Sequence, residues 1–407
     1  MPQLGSAPAD SIGRRRFLAT LAAWMLPPLL LNCRQAPAGA AQRGRDPSAL
    51  YAADFREGAM SDRQVLERAF RAWTERGGGT LHLEPERVYD LGLQRDGSNV
   101  FVVFGLQDAL LAGHGATLRI HSDVREYFNL LYLAHYRNFR IENLSCLDTG
   151  YRDIAQEGAR FIVLDATERE SVDLTLDNVA GEGLVHFICV QGVPNGPRVR
   201  GIRIMPNCRA TRVFYALNCQ NNGDDVSGGF STFNCARSYF PYGVSRHDLK
   251  IHIDHRGPDL GPLAETAVLI KCYGPTTSNI RVDATFSGVL ASTTCCARLE
   301  HQHDPAAPPS IIEDVDLRIT IEPGTADPNG VQRLGLRSFA GDTEETGRTR
   351  NVWRHIRFGG DMGPGHALAI YSRASPIEPA DITIARGTIG AEQANISAPG
   401  FRIRREV

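Results

Sequence analysis

Between Asn138 and Ile384 the chain eight times sets a polar-leaning residue before a closely spaced apolar pair: Phe139/Ile141, Val172/Leu174, Ile202/Ile204, Leu249/Ile251, Ile280/Val282, Val315/Leu317, Val352/Ile356 and Ile382/Ile384. The first members lie 33, 30, 47, 31, 35, 37 and 30 residues apart. A step of roughly 30 that recurs through most of a chain marks stacked structural repeats. Each unit reads as a short strand, because alternation sends every second side chain to one face. Val315, Leu317, Ile319 and Ile321 share a face, and Asp316, Arg318 and Thr320 take the other. The step is too long for a hairpin and carries no helical pattern, so each pass must return to lie parallel beside the last. The predicted fold is all-β, a right-handed parallel β-helix. From Leu81 onward there is room for about ten coils, a rod of about 50 Å at about 4.8 Å per stacked strand.

One segment breaks the period. Ser61 to Arg76 predicts a helix, with Ser61 and Gln64 forming a capping box, Val65, Leu66, Ala69, Phe70 and Trp73 one apolar stripe, and Gly77 the stop. A solenoid must cover its open end, where the first coil presents bare core and unpaired strand edges, and this helix stands where such a cap is needed. The expected organisation is a targeting segment over 1–40, an N-terminal segment with the capping helix over 41–80, and the solenoid over 81–407.

The targeting segment rests on Arg14-Arg15-Arg16-Phe17-Leu18, which fits the twin-arginine pattern, followed by an apolar stretch from Leu18 to Leu31. That stretch is shorter than a membrane span and is broken by Pro27-Pro28. Small residues at Ala38 and Ala40 offer cleavage points, and Leu30-Leu31-Asn32-Cys33 offers an alternative lipid anchor at Cys33. The expected location is therefore periplasmic or secreted. Twin-arginine export moves folded proteins, so the fold must form in a reducing compartment. The eight cysteines beyond the leader then read as small buried hydrophobes rather than as a disulfide framework.

Asp54-Phe55, Asp62-Arg63-Gln64, Ala69-Phe70, Gly77-Gly78-Gly79 and the later Gly113-His114-Gly115-Ala116-Thr117-Leu118 follow one another in an order that resembles the pectate lyase and polygalacturonase superfamily. Arg56-Glu57 stand where that family has Gly-Ala, which marks a divergent member. The resemblance covers architecture through most of the chain beyond the leader. It implies a parallel β-helix that acts on a polysaccharide, an inference from fold alone.

The interval of 47 between Ile202 and Leu249 predicts either an extra short coil or long turn loops, where function concentrates. It holds the most polar and aromatic stretch of the chain. Asp224 and Asp225 are the sharpest candidates, because glycoside hydrolysis needs one carboxylic acid to protonate the leaving oxygen and one carboxylate to activate water or attack. An Asn-Gly-Asp turn with carboxylates bonded to the backbone is the structural alternative. The pair resembles the Asp-Asp of polygalacturonase-like enzymes, and Ile270-Lys271 resembles their Arg-Ile-Lys, while their Asn-x-Asp and Gly-His-Gly elements are missing and His247 stands in a different context.

Lys271 is one of only two lysines, with Lys250, among 44 basic residues, and alternation points it outward if Val268, Ile270 and Cys272 point in. Asn222, Tyr239, Tyr242 and Arg246 are candidate sugar-binding residues, by hydrogen bonding and aromatic stacking. Arg246, His247, Lys271 and Tyr242 also offer the base and cation that β-elimination beside a uronic carboxylate requires. Glu300-His301-Gln302-His303-Asp304 resembles a metal box but runs into Pro305, the mark of a turn loop. No metal or cofactor is expected.

Without its first forty residues the chain carries a net charge of −5, so it lacks the basic footprint of a nucleic-acid binder. The leading expectation is an exported glycan hydrolase using Asp224 and Asp225, aided by Lys271 and His247. A uronate-specific polysaccharide lyase and a noncatalytic glycan-binding rod are the alternatives.

Overall fold

Neighbouring strands pair in parallel throughout, so no strand is joined to its neighbour by a hairpin. The chain instead alternates between two sheets of 15 and 11 strands, placing Arg137–Asp148 in the first, Ala159–Asp165 in the second and Ser171–Glu182 in the first again. The result is a right-handed parallel β-helix. The computed structural model describes residues 46–407 except 124–125, 151–157, 256–265, 273–275, 291–294, 302–309, 328–331, 339–350, 364–367, 372–377, 389–393 and 397–399. The twin-arginine segment, Cys33 and His303 lie outside the described residues.

One column of backbone conformations sets the stacking. Asp108, Asn138, Asp173, Gly201, Asp225, Arg246, Asn279, Asp314 and His355 all have positive φ, between 48° and 75°. Each turns the chain into the longer sheet, and the next residue enters the interior. Those residues are Ala109, Phe139, Leu174, Ile202, Val226, His247, Ile280, Val315 and Ile356, which occupy one register through successive coils. A left-handed residue costs roughly 1–2 kcal/mol unless it is Gly, Asn or Asp, and seven of the nine corners are one of these. Before Phe139, Ile202, Ile280 and Val315 the residue that opens the sequence repeat is this corner.

The column corrects three of the expected units. Leu174 rather than Val172, His247 rather than Leu249, and Ile356 rather than Val352 lead their strands, because these residues pair with Phe139, Ile280 and Val315. The long interval contains an extra short coil, since Val226 pairs with both Ile202 and His247. At this level the connections are short, comprising 212–214, 221–222, 234–236 and 243–244.

Halfway along the longer strands a second bend is pinned by asparagines. Asn143 and Asn178 are left-handed, and the Asn178 side chain donates to Asn143 Oδ1 at 2.8 Å. Asn207 Oδ1 accepts from the Asn178 backbone at 3.0 Å, and its amide reaches Asp177 at 2.9 Å. The bonds run from coil to coil and fix the bend at one height.

The helix Asp62–Arg76 has both halves of its capping box and ends at Gly77 with φ 81°. It lays Phe70 on Phe101 at 4.8 Å and Trp73 on Phe139 at 5.5 Å, and so covers the interior of the first coils. All eight cysteines of this part are buried free thiols.

Replacing Asn178 by Ala removes the inter-coil bond from its amide to Asn143 and puts a Cβ-bearing residue without a local hydrogen bond in the left-handed region. Denaturant unfolding is expected to show a loss of about 2–3 kcal/mol, with Asn178→Gly recovering the conformational share of about 1 kcal/mol.

Candidate functional site

Asn222, Asp224, Asp225 and Arg246 meet where the chain turns into the longer sheet, and all four are occupied in joining coils. The Asn222 amide donates to the carbonyls of Val193 and Gly196, and so holds the preceding loop. Asp224, only 3% exposed, takes Arg198 Nη1 at 2.6 Å on one oxygen and the backbone N–H of Ser245 at 2.8 Å on the other. Asp225 is a left-handed corner residue and accepts from Nε and Nη2 of Arg246. The hydrogen bond from Arg246 holds the Asp225 carboxyl below its usual range despite partial burial. Both carboxylates are thus taken up by arginine and backbone donors, which leaves neither free for an acid and base pair.

Tyr239 and His247, expected at the surface, face the interior. Tyr239 pairs with Leu217 and Val268 in an apolar column, and His247 with Val226 and Ile280. Their neighbours leave no water for either polar end, so they bond to each other. The Tyr239 hydroxyl meets His247 Nδ1, and His247 Nε2 meets the Gly223 carbonyl at 2.7 Å. A neutral imidazole with its proton on Nε2 satisfies both contacts. Burial pushes His247 down to about 4, so it stays uncharged at neutral pH.

Tyr242 and Lys271 come together on the outward face of the shorter sheet. Gln191, Gln220, Tyr242, Lys271 and Glu300 follow one another in register from coil to coil. Val268, Ile270 and Cys272 belong to the core, which leaves Lys271 pointing out. Its ammonium lies 2.7 Å from Glu300, and Arg298 reaches the same carboxylate at 4.0 Å. Beside this column run Arg160, His186, Tyr215 and Arg237, and between the two run Cys189, Asn218 and Phe240.

The rings and cations of this face form an unbroken series. Arg160 lies 3.7 Å over Tyr127, which meets His186 edge-on at 5.8 Å. His186 packs on Tyr215 at 4.8 Å, Tyr215 on Phe240 at 5.2 Å, and Phe240 on Tyr242 at 5.7 Å. Arg237 sits 5.3 Å from Phe240 and donates to the Tyr215 hydroxyl at 2.7 Å, and Lys271 lies 5.8 Å from Phe240. His186, Tyr215 and Phe240 are themselves buried, so Tyr242, Arg237 and Lys271, packed against them and half-buried, are what this face offers to a negatively charged sugar.

Several buried polar atoms here have no hydrogen-bond partner among the described residues. They are His186 Nε2, Asn218 Oδ1, Asp165 Oδ1, and Nε of Arg160, Arg237 and Arg298. His186 and Asn218 are each 2% exposed and bond to one another at 3.3 Å. Native proteins leave few such atoms, and Arg56 Nε, Thr74 Oγ1 and Asp316 Oδ1 are further examples elsewhere in the chain.

His186, Tyr215, Arg237, Phe240 and Arg298 escaped the sequence reading because only the pairing of successive coils brings their separate strands together. Glu300 and His301 close the strand Cys295–His301 instead of opening a turn, and the His301 ring packs edge-on against Trp353 at 4.3 Å.

No family model matches the chain, and no curated protein matches it in sequence. Among solved structures, two catalytic-domain variants of a GH87 α-1,3-glucanase in complex with tetrasaccharides are similar at 11% and 12% identity. They cover 90% of this chain and 70% and 69% of their own, with TM-scores of 0.43 and 0.41. A tailspike protein mutant of E. coli bacteriophage HK620 matches at 9% identity over 88% of this chain and 64% of its own, with a TM-score of 0.23.

Truncating Asp224 to Ala strips the Ser245 N–H and Arg198 of their acceptor, and chemical denaturation at neutral pH is expected to show a loss of about 1–3 kcal/mol. The buried histidines set an acid limit. An unfolded chain protonates His247 near the ordinary value of 6.5, whereas the folded chain does so only near 4, so this part of stability is complete above 6.5 and drains as pH falls between the two. Burial holds His255 at about 4 as well, so the same window applies to it. Unfolding followed from pH 7 to pH 4 should steepen through this window, by on the order of 3 kcal/mol per histidine, and His247→Gln should lessen the slope.

Proposed function

We propose that this chain is a glycan-cleaving enzyme whose substrate is an acidic polysaccharide, held along the outward face of the shorter sheet and cut by β-elimination. The observation that carries the reading is the continuous series of rings and cations from Tyr127 to Lys271 with buried, unpartnered polar atoms among them. Coils rise about 4.8 Å each, close to the length of one sugar, so successive coils can meet successive units. Arg160, Arg237, Lys271 and Arg298 supply the positive charge that uronic carboxylates need.

Elimination removes the proton beside the carboxylate, moves that electron pair into a new carbon–carbon double bond, and expels the glycosidic oxygen, which leaves with a proton. Lys271, whose Nζ lies 2.7 Å from the Glu300 carboxylate, is assigned to the substrate carboxylate, where it stabilises the enolate. Tyr242 stands beside it in register and is assigned, as its phenolate, as the proton acceptor, and the phenol so formed returns that proton to the leaving glycosidic oxygen. Hydrolysis by Asp224 and Asp225 is the weaker reading, because both carboxylates are committed to arginine and backbone partners on another part of the coil. Export through the twin-arginine motif Arg14-Arg15, to the periplasm or beyond, belongs to the same proposal and fits a polymeric substrate outside the cell.

A panel of uronic-acid polysaccharides should yield one that gives new absorbance at about 235 nm from unsaturated ends. Tyr242→Phe and Lys271→Met should each lower that rate by about 10²–10⁴-fold with little change in melting temperature. New reducing ends without the band, retained in both variants and lost in Asp224→Asn, would move the assignment to hydrolysis. Binding of an acidic glycan with neither signal would make the chain a noncatalytic glycan-binding rod.

A further inference from the structure

The longer sheet carries a groove that the proposed reaction does not use. A cavity of about 510 Å³ opens on its outward face, within the size range of small-molecule sites. Gly228 and Gly229 have no side chains to fill it, and it reaches past them to Phe230 and Ile251, with Pro206 at its side. Neither glycine can be replaced cheaply. Gly228 has φ 109° and its Cβ would fall 1.9 Å from the Ile204 carbonyl oxygen, while a Cβ on Gly229 would fall 2.6 Å from that of Lys250.

Three charged side chains, Asp248, Lys250 and Asp283, line the groove. Asp248 and Lys250 alternate outward on one strand, and Asp283 stands beside Lys250 on the next. Elsewhere on this sheet charges are taken up in pairs between coils, such as Arg140 with Asp177, Arg246 with Asp225 and Arg357 with Asp316. By contrast, among the described residues the side chains of Asp248, Lys250 and Asp283 enter no hydrogen bond or ion pair.

The charge pattern sorts the ligands. A metal cation would have to settle beside the Lys250 ammonium, and among the described residues no three ligating side chains gather. A phosphate or uronate would face two carboxylates. A neutral ring of hydroxyl groups meets neither objection, since each hydroxyl both donates and accepts. Adjacent hydroxyls can give their protons to the carboxylates of Asp248 and Asp283 and accept from Lys250. The apolar face of the ring can then lie over the glycine-lined floor, where backbone permits close approach.

We infer that this groove binds a neutral saccharide, as a site separate from the outward face of the shorter sheet. The inference is independent of elimination, since no residue is shared between the two surfaces.

Calorimetric titration of the full chain with cellotetraose, maltotetraose and laminaritetraose tests it. At least one should bind with a Kd of about 1 mM or tighter. The double variant Asp248→Asn, Asp283→Asn should weaken that binding at least tenfold, and Lys250→Gln should weaken it too, while Lys271→Met binds as the parent does. The melting temperature of each variant serves as the folding control. No saturation by any of the three, binding indifferent to both groove variants, or loss in Lys271→Met instead would each overturn the inference. Failure to cleave any acidic glycan would leave these outcomes unaltered.

Discussion

Parallel stacking in one fixed register is the constraint on which the molecule depends. A coil is held by backbone bonds to the coils above and below, so the turn into the longer sheet must occur at the same height each time. The left-handed corner achieves this, and the residue after it is delivered to the interior whatever the length of the preceding loop. The requirement explains why Asp225 and Arg246, both corner residues, are bound to each other across neighbouring coils. Their chemistry is spent on geometry, and exposed pairs of this kind add little stability individually.

Much of the architecture was legible because its signals are local. The capping box of Ser61 and Gln64, the stop at Gly77 and the apolar stripe to Trp73 lie within a few turns of helix, and the structure has each of them. The period was legible for the same reason, since every corner and its inward neighbour are adjacent in sequence. Register was harder. In a strand such as Ser245–His255, His247, Leu249, Ile251 and Ile253 all alternate inward, and alternation does not say which one aligns with the next coil. Preferring the aliphatic residue moved the unit by two, and the stretched interval left an extra short coil, now seen at Val226, as one of two readings.

The candidate site was less legible because its members are neighbours in space and strangers in sequence. Lys271 and Tyr242 were picked out by composition and chemistry, but Glu300, Arg237, Tyr215 and His186 join them only through pairings between coils. Tyr239 and Phe240 show how little separates the two sides of a wall. One is buried against His247 and the other stacks between Tyr215 and Tyr242, and either ring would satisfy an apolar position in the sequence. A polar hydroxyl was the misleading signal, because a buried histidine can receive it.

Coil length varies along the rod, and it is shortest where the rings of Tyr215, Phe240 and Tyr242 lie. Successive corners fall at Gly201, Asp225 and Arg246, and at this level the connections 212–214, 221–222, 234–236 and 243–244 have only two or three residues each. Among the described residues, such brief turns raise no rim beside the strands Tyr215–Gln220 and Arg237–Tyr242. Under the proposed function a polymer would settle broadside at any point along its length instead of being fed in from a terminus, and cutting in this manner would shorten long chains quickly while releasing fragments of many sizes.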